Sequence, residues 1–443
     1  MAITQISCSR DEIRKEVQIT HDLSYNHDLD NNDNFSPDDQ WLVYDVRTQA
    51  GGIGACPRIE KVNIQTGEVV VMYNLPDNTE FGPGAGAVSY SHSANQVVFI
   101  HGLMNCTENN PYQQWRRTGV IIDDSNPGQP LFMDARDITP PFTPGALRGG
   151  THRHEWSGDG QWIGYTYNDA ILKHLEDSTG QVYNLRTIGV SKNIGQVEIP
   201  SRDDGDNVSG SWFSVIVVNV VANPSPGSDE ISRAAGDSWV GYDGCLNKNG
   251  QKQRTRAFIG TTTDINGASV DEVFIVDIPE DITKPGASGP LEGTLTTMPV
   301  PPANTVQRRL TKTSSWKNPG CAGVVRSNRS GSMLAFLAKD EAGKNQVFVI
   351  SPNGGEPKQV TFELAGVLSN PRWHPTEDRI CYVAENSIFI KNINQKESIR
   401  LTQPTELAPI DLVWSHDGKT IAFCRMIKNE SGELTKQIFT INP

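Results

Sequence analysis

The 443-residue chain predicts an all-β fold, a seven-bladed β-propeller with four-stranded blades whose ring is closed by an N-terminal strand completing the last blade. Three observations predict it. First, an aromatic or small residue is followed nine positions later by an aromatic in Phe35–Tyr44, Tyr90–Phe99, Trp156–Tyr165, Ser327–Phe336, Trp373–Tyr382 and Trp414–Phe423. Second, a polar turn lies inside each pair, clearest in Trp156-Ser-Gly-Asp-Gly-Gln-Trp and Trp414-Ser-His-Asp-Gly-Lys-Thr, so each pair reads as a hairpin of two short strands. Third, an alternating run such as Gln346–Ile350 and a short run ending in Thr (Gln18–Thr20, Arg309–Thr311, Gln359–Thr361, Arg400–Thr402) supply two more strands. We label the strands A to D from the inside outward.

Taken in order, residues 1–13 are expected to be a flexible N-terminal segment, and 14–443 a single propeller domain. Glu16–Thr20 has the character of strand D although it precedes the first blade, while the chain ends on Gln437–Ile441, a C strand. Joining the two removes exposed sheet edges, a physical reason for the offset. Blades start near residues 33, 86, 151, 210, 322, 367 and 409. The fourth lacks the turn signature; its strands are assigned to Trp212–Val221, Thr255–Thr263, Asp271–Asp277 and Val306–Thr311, with an insertion at about 223–254. Ser228 in that insertion predicts the N-cap of a short helix.

Composition narrows the function. With 52 acidic and 39 basic side chains the net charge is −13, which excludes a general nucleic-acid binder. No apolar run approaches the ~18 residues of a membrane span. Cys381 and Cys424 read as buried strand residues; Cys56, Cys106, Cys245 and Cys321 lie in predicted loops, where pairing has no readable connectivity. Cys8 resembles the acylated cysteine of a bacterial lipoprotein, so a periplasmic or exported location is slightly favoured over a cytoplasmic one, with lipid anchoring through Cys8 open to an exported chain.

The repeat separates two kinds of histidine. His92, His374 and His416 fall inside A–B turns and are assigned a structural role. His152 and His154 fall at the start of an inner strand, and His101 just beyond the end of a B strand, all on the opposite face. Strand alternation predicts that His152 and His154 point the same way, near Tyr167, Asn168 and Asp169. His152, His154 and Asp169 are the candidate ligands of a divalent metal (Mn, Zn or Ca). The acidic loop His21–Asp33 has the oxygen density of a calcium loop without its spacing and reads as a solvated loop. Arg47, Arg116, Arg117, Arg148 and Arg425 share the same face, and Glu230 and Arg233 could reach it. Guanidinium groups pair two-pronged with carboxylates, which points to an acidic saccharide such as a uronic acid.

Thr143-Pro-Gly-Ala-Leu-Arg-Gly-Gly-Thr-His-Arg-His-Glu-Trp156, Thr166–Asp169 and Pro226–Ala234 resemble the YidR-like family of uncharacterised bacterial propeller proteins, across nearly the whole chain. The Trp-Ser-x-Asp-Gly turn resembles that of TolB-type propellers, and the histidine-rich mouth resembles oligogalacturonate lyase. The lyase resemblance implies a metal held by histidines and β-elimination of uronic-acid oligosaccharides. It would make Arg47, Arg117 or a metal at His152/His154 the carboxylate neutraliser, and His101 and Tyr167 the base and acid in either order. Arg116, Arg148, Asn168, Arg425, Glu230 and Arg233 would then contact substrate. The TolB resemblance implies instead a non-catalytic ring that binds protein or glycan.

Overall fold

The computed structural model describes residues 9–30, 33–49, 51–200 and 205–443. Its strands form seven blades around one axis, each strand pairing antiparallel with its neighbour in the A-B-C-D order. Blade 1 runs Asn26–Asp28, Trp41–Arg47, Arg58–Asn63, Val69–Asn74, and blade 3 runs Gly149–Trp156, Trp162–Asp169, Thr187–Lys192, Phe213–Ile216. The nine-residue spacing works as expected: in blade 3, Trp156 pairs with Ile163 across a turn in which Asp159 Oδ1 accepts from Ser157 Oγ and from the Gln161 amide.

The ring closes through Val17–Gln18, which pairs with the C-terminal strand Leu434–Ile441 and supplies strand D of blade 7. Of the segment expected to be flexible, residues 1–8, Cys8 among them, lie outside the described residues. Ser9–Asp11 instead adds a fifth strand, parallel to Ser398–Arg400 of blade 6.

Blade 4 departs from the sequence expectation. Phe213–Ile216 is strand D of blade 3, and the inner strand of blade 4 is Arg233–Trp239, inside the span read as an insertion. The extra residues sit in its A–B connection, where Cys245–Leu246 pairs with Lys252–Gln253 as a small hairpin. No helix forms after Ser228; Glu230 accepts from the Ser225 amide to close a turn (2.8 Å). A helix forms at Ala170–Thr179, between strands B and C of blade 3, capped by Asp169. His174 lies within it.

The core lies between blades, where apolar faces of adjacent sheets meet: Val43, Val88, Tyr90 and Phe99 join blades 1 and 2, and Val325, Phe336, Ala257 and Val273 join blades 4 and 5. Burying one such side chain stabilises by roughly 1.5–3 kcal/mol. Cys56, Cys106, Cys245, Cys321, Cys381 and Cys424 are all free thiols.

The inner strands share a bulge that the alternation rule does not anticipate. A left-handed residue interrupts them at Asp30, Ala87, Arg153, Gly236, Gly323 and Asp411, with register shifts in blades 2, 3, 4, 5 and 7. The neighbouring blade satisfies the freed amides: Asp45 accepts from Ala87 N (2.7 Å), and Asn370 accepts from Val324 N (3.0 Å).

Candidate functional site

The bulge at Arg153 decides where the paired histidines go. With one residue in a left-handed conformation between them, His152 and His154 lose the period of two and part company. His154 turns into the wall between blades 2 and 3: its Nε2 meets Thr151 Oγ1 at 2.9 Å and its ring packs on Tyr165. Burial, followed by the charge of Arg117, pushes its pKa down to about 3. His152 stays at the mouth. Arg117 has only donors, so the 2.7 Å contact makes His152 Nδ1 an acceptor; Nε2 therefore carries the proton and donates to Asn168 Oδ1 at 3.1 Å. Burial and the charges of Arg117 and Arg186 hold this imidazole neutral, well below its usual pKa.

Around it the mouth is cationic. Arg117 begins strand C of blade 2, Arg186 immediately precedes strand C of blade 3, and Arg233 begins strand A of blade 4. Arg186 Nε donates to the same Asn168 Oδ1 (3.3 Å), completing a chain Arg117–His152–Asn168–Arg186. None of Arg117, Arg186 and Arg233 forms an ion pair among the described residues. Burial lowers the pKa of Arg117, and burial with the nearby charges of Arg233 and Arg117 lowers that of Arg186 to about 10. Tyr112 lies under the Arg117 guanidinium (4.7 Å). Tyr112 Oη and Arg117 Nε are both buried without a hydrogen-bond partner. Positive charge held out of water with unspent donors is the signature of a place that receives an anion.

Across the mouth, blades 7 and 1 are self-satisfied. Arg47 is paired with Asp45 (2.6 Å), Asp28 (3.4 Å) and Asp30, and Lys436 with Asp28 (2.8 Å) and Asp411 (3.1 Å). Burial raises the pKa of Asp45 to about 7. Arg47 is therefore committed to the fold and has no group left for a substrate carboxylate.

Several other sequence candidates are corrected in the same way. His101 is fully buried between blades, bonded to Tyr73 Oη (2.9 Å) and to the Gly102 carbonyl, and burial lowers its pKa. Tyr167 donates to Asp169 Oδ2 (2.9 Å); burial and that carboxylate raise its pKa far above the range of a useful base or acid. Arg148 and Asp169 form a fully buried pair (2.7 Å), and Asp169 Oδ1 caps the helix. Arg116 binds Asp206, and Arg425 binds Glu16 at 2.6 Å. Glu230 stands exposed in its turn. Asp28 and Asp30 of the acidic loop are spent on Arg47 and Lys436; residues 31 and 32 lie outside the described residues.

The metal expectation fails on chemistry. His152 and His154 diverge, and both oxygens of Asp169 are occupied. Among the described residues no three His, Cys, Asp or Glu side chains stand together in a way that could hold an ion.

Arg186 and Tyr112 were missed in the sequence. Arg186 had a readable signal: it directly precedes the apolar run Thr187–Val190, a strand start on the same face as Arg117.

Comparison with known proteins bears on the family and the fold. A family model described as "Protein of unknown function (DUF3748)" matches residues 84–206, the stretch that carries Arg117, His152, Asn168 and Arg186. The uncharacterized protein YidR of Escherichia coli (strain K12) is 38% identical over 406 residues, covering 90% of this chain and 92% of its own. Among solved structures, a puromycin-hydrolyzing peptidase of Mycobacterium tuberculosis superposes with TM-score 0.55 at 9% identity, over 99% of this chain and 55% of that one. The chain thus spans about half of that peptidase. An oligogalacturonate lyase in complex with manganese superposes with TM-score 0.51 at 10% identity, over 99% of this chain and 95% of that one. At such identities the likeness is one of fold. No helix among the described residues is long and apolar enough to cross a membrane.

Proposed function

This chain belongs to the YidR family, and on that footing we propose that its ring is a receptor for acidic saccharides, gripped by their carboxylates at the mouth formed by blades 2 to 4. One observation carries the reading: Arg117 and Arg186, half-buried, and Arg233, exposed, come from three successive blades to that mouth without carboxylate partners. Desolvated cations are costly unless a ligand supplies the missing charge. Asn168 and Tyr112 add neutral groups suited to hydroxyls. The fold shared with an oligogalacturonate lyase makes uronic-acid oligomers the ligands to try first.

Calorimetric titration with oligogalacturonates of defined length tests it. Binding is expected to weaken with added salt, and by about tenfold or more in Arg117→Ala and Arg186→Ala. Absence of binding by every acidic saccharide, or equal binding by both variants, overturns the reading.

A catalytic version rests on a separate observation, the neutral His152 beside Arg117. If a substrate carboxylate draws Arg117 away, the bared Nδ1 lone pair takes the C5 proton, the C–H electrons form the C4–C5 double bond, and the C4–O bond breaks with water protonating the departing oxygen, while Arg117 neutralises the carboxylate. The ultraviolet absorbance of an unsaturated uronate product reports it. Loss of that product in His152→Ala with binding retained supports catalysis; no product from the unaltered protein leaves a receptor alone.

A further inference from the structure

The far end of the channel, under the A–B turns, is built differently. Side chains from all seven blades wall a cavity of about 160 Å³, which therefore sits on the ring axis. Its ionic groups are matched within the wall: Asp33 with Arg372 (2.8 Å) and Glu155 with Arg326 (2.8 Å). The buried charges of the wall are thus answered, and Arg329, exposed at the rim, stacks over Tyr242 (4.2 Å).

Two neutral atoms of the wall are also unmet. Asn34, fully buried, has an amide oxygen without a partner, and Trp156, 3% exposed, has an indole N–H without one. Trp156 breaks the pattern of its own repeat. The equivalent indoles of Trp239, Trp373 and Trp414 each donate to a carbonyl of the preceding blade, those of Glu155 (2.9 Å), Arg326 (2.9 Å) and Arg372 (3.1 Å). Buried polar atoms are rarely left without a partner, so one unmet acceptor and one unmet donor in a single wall point to a guest.

Size and rim narrow the guest further. A dry cavity of roughly 150 Å³ accepts one six-membered ring, and this one is slightly larger and polar. Over it, turns of blades 2, 4 and 7 converge: the ring of His92 lies 5.1 Å from that of His416 and 6.2 Å from that of Tyr242. Such rings offer flat faces to C–H bonds and polar edges to hydroxyls.

We propose that this axial cavity is a second binding site, taking a neutral hydroxylated six-membered ring such as a cyclitol or neutral hexose. One ring hydroxyl donates to Asn34 Oδ1, another oxygen accepts from Trp156 Nε1, and the collar of His92, Tyr242 and His416 parts to admit the ring. The site is independent of the cationic mouth on the opposite face.

Titration of the intact protein with myo-inositol and with methyl glucoside, methyl galactoside and methyl mannoside, followed by tryptophan fluorescence, tests the assignment. At least one neutral ring is expected to bind. Trp156→Phe, which keeps an aromatic ring but removes the donor, should weaken it about tenfold. Arg117→Ala should leave it unchanged. His92→Ala, on the more open collar, guards against a variant that fails to fold, and should raise the association rate. No titration by any of these rings, meaning a cavity that holds water only, overturns the proposal. So does wild-type binding by a folded Trp156→Phe, or His92→Ala kinetics identical to those of the unaltered protein. Neither result bears on acidic saccharides at the other mouth.

Discussion

Arg47 and Arg117 occupy the same mouth of the same ring and do opposite things. Arg47 is surrounded by Asp28, Asp30 and Asp45, so its charge is consumed in holding blade 1 together. Arg117 rests on Tyr112 and leans on an imidazole, and no carboxylate answers it. The lesson is that an arginine's position in a repeat does not reveal its role; the balance of charge around it does. Compensated cations belong to the fold, uncompensated ones to a ligand.

The largest effect that could break this contrast lies in Arg148. Its fully buried pair with Asp169 also steadies Tyr167, so Arg148→Ala should lower stability by about 3–5 kcal/mol in denaturant titrations. A loss near zero would mean that compensation carries no structural weight here.

Next in size is the pH dependence of His154. An unfolded imidazole titrates near 6.5 and the folded one near 3, so between those values the unfolded chain holds the extra proton. Stability should therefore fall as pH drops below 6.5, by about 1.4 kcal/mol per unit for this group. Asp45, raised to about 7, acts in the opposite sense. The measurable quantity is thus the difference in slope between the unaltered protein and His154→Gln, which should have the shallower acid loss.

Arg186→Leu is the sharpest discriminator at smaller magnitude. Removing an unpaired, half-buried charge should leave stability unchanged or raise it by about 1 kcal/mol, while affinity for acidic saccharides drops about tenfold. A destabilised variant would move Arg186 into Arg47's class. Smallest is Arg425→Ala, whose partner Glu16 is partly exposed; thermal unfolding should register a loss of about 1 kcal/mol or less.

The architecture was legible because turn chemistry repeats at a fixed spacing, and each Trp-Ser-x-Asp-Gly hairpin fixes one blade. Blade 4 escaped because its A–B connection is lengthened by a second hairpin, which separates Trp239 from the B strand at Thr255–Thr263. Trp239-Val-Gly-Tyr-Asp-Gly244 still carries the first half of the signature. Of the mouth, His152 and Asn168 could be placed together from register, and Arg117 from the loop that leads to it; Arg233 reads as part of a short helix in an insertion, because the sequence assigns the inner strand of blade 4 elsewhere. The separation of His154 could not, because alternation assumes an unbroken strand. The bulge uses Asp, Ala and Arg as readily as Gly, so composition gives no warning. It falls three positions before the first aromatic of blades 2, 3, 4 and 7, a regularity visible only once one copy is known.

The closing strand has a consequence in time as well as in space. Val17 and Gln18 find their partners only at Thr440 and Phe439, so a nascent chain must keep this strand uncommitted until about 420 further residues have been made. Until then blade 7 lacks its outermost strand, and the unfinished wheel presents a bare margin to which a second nascent chain could zip.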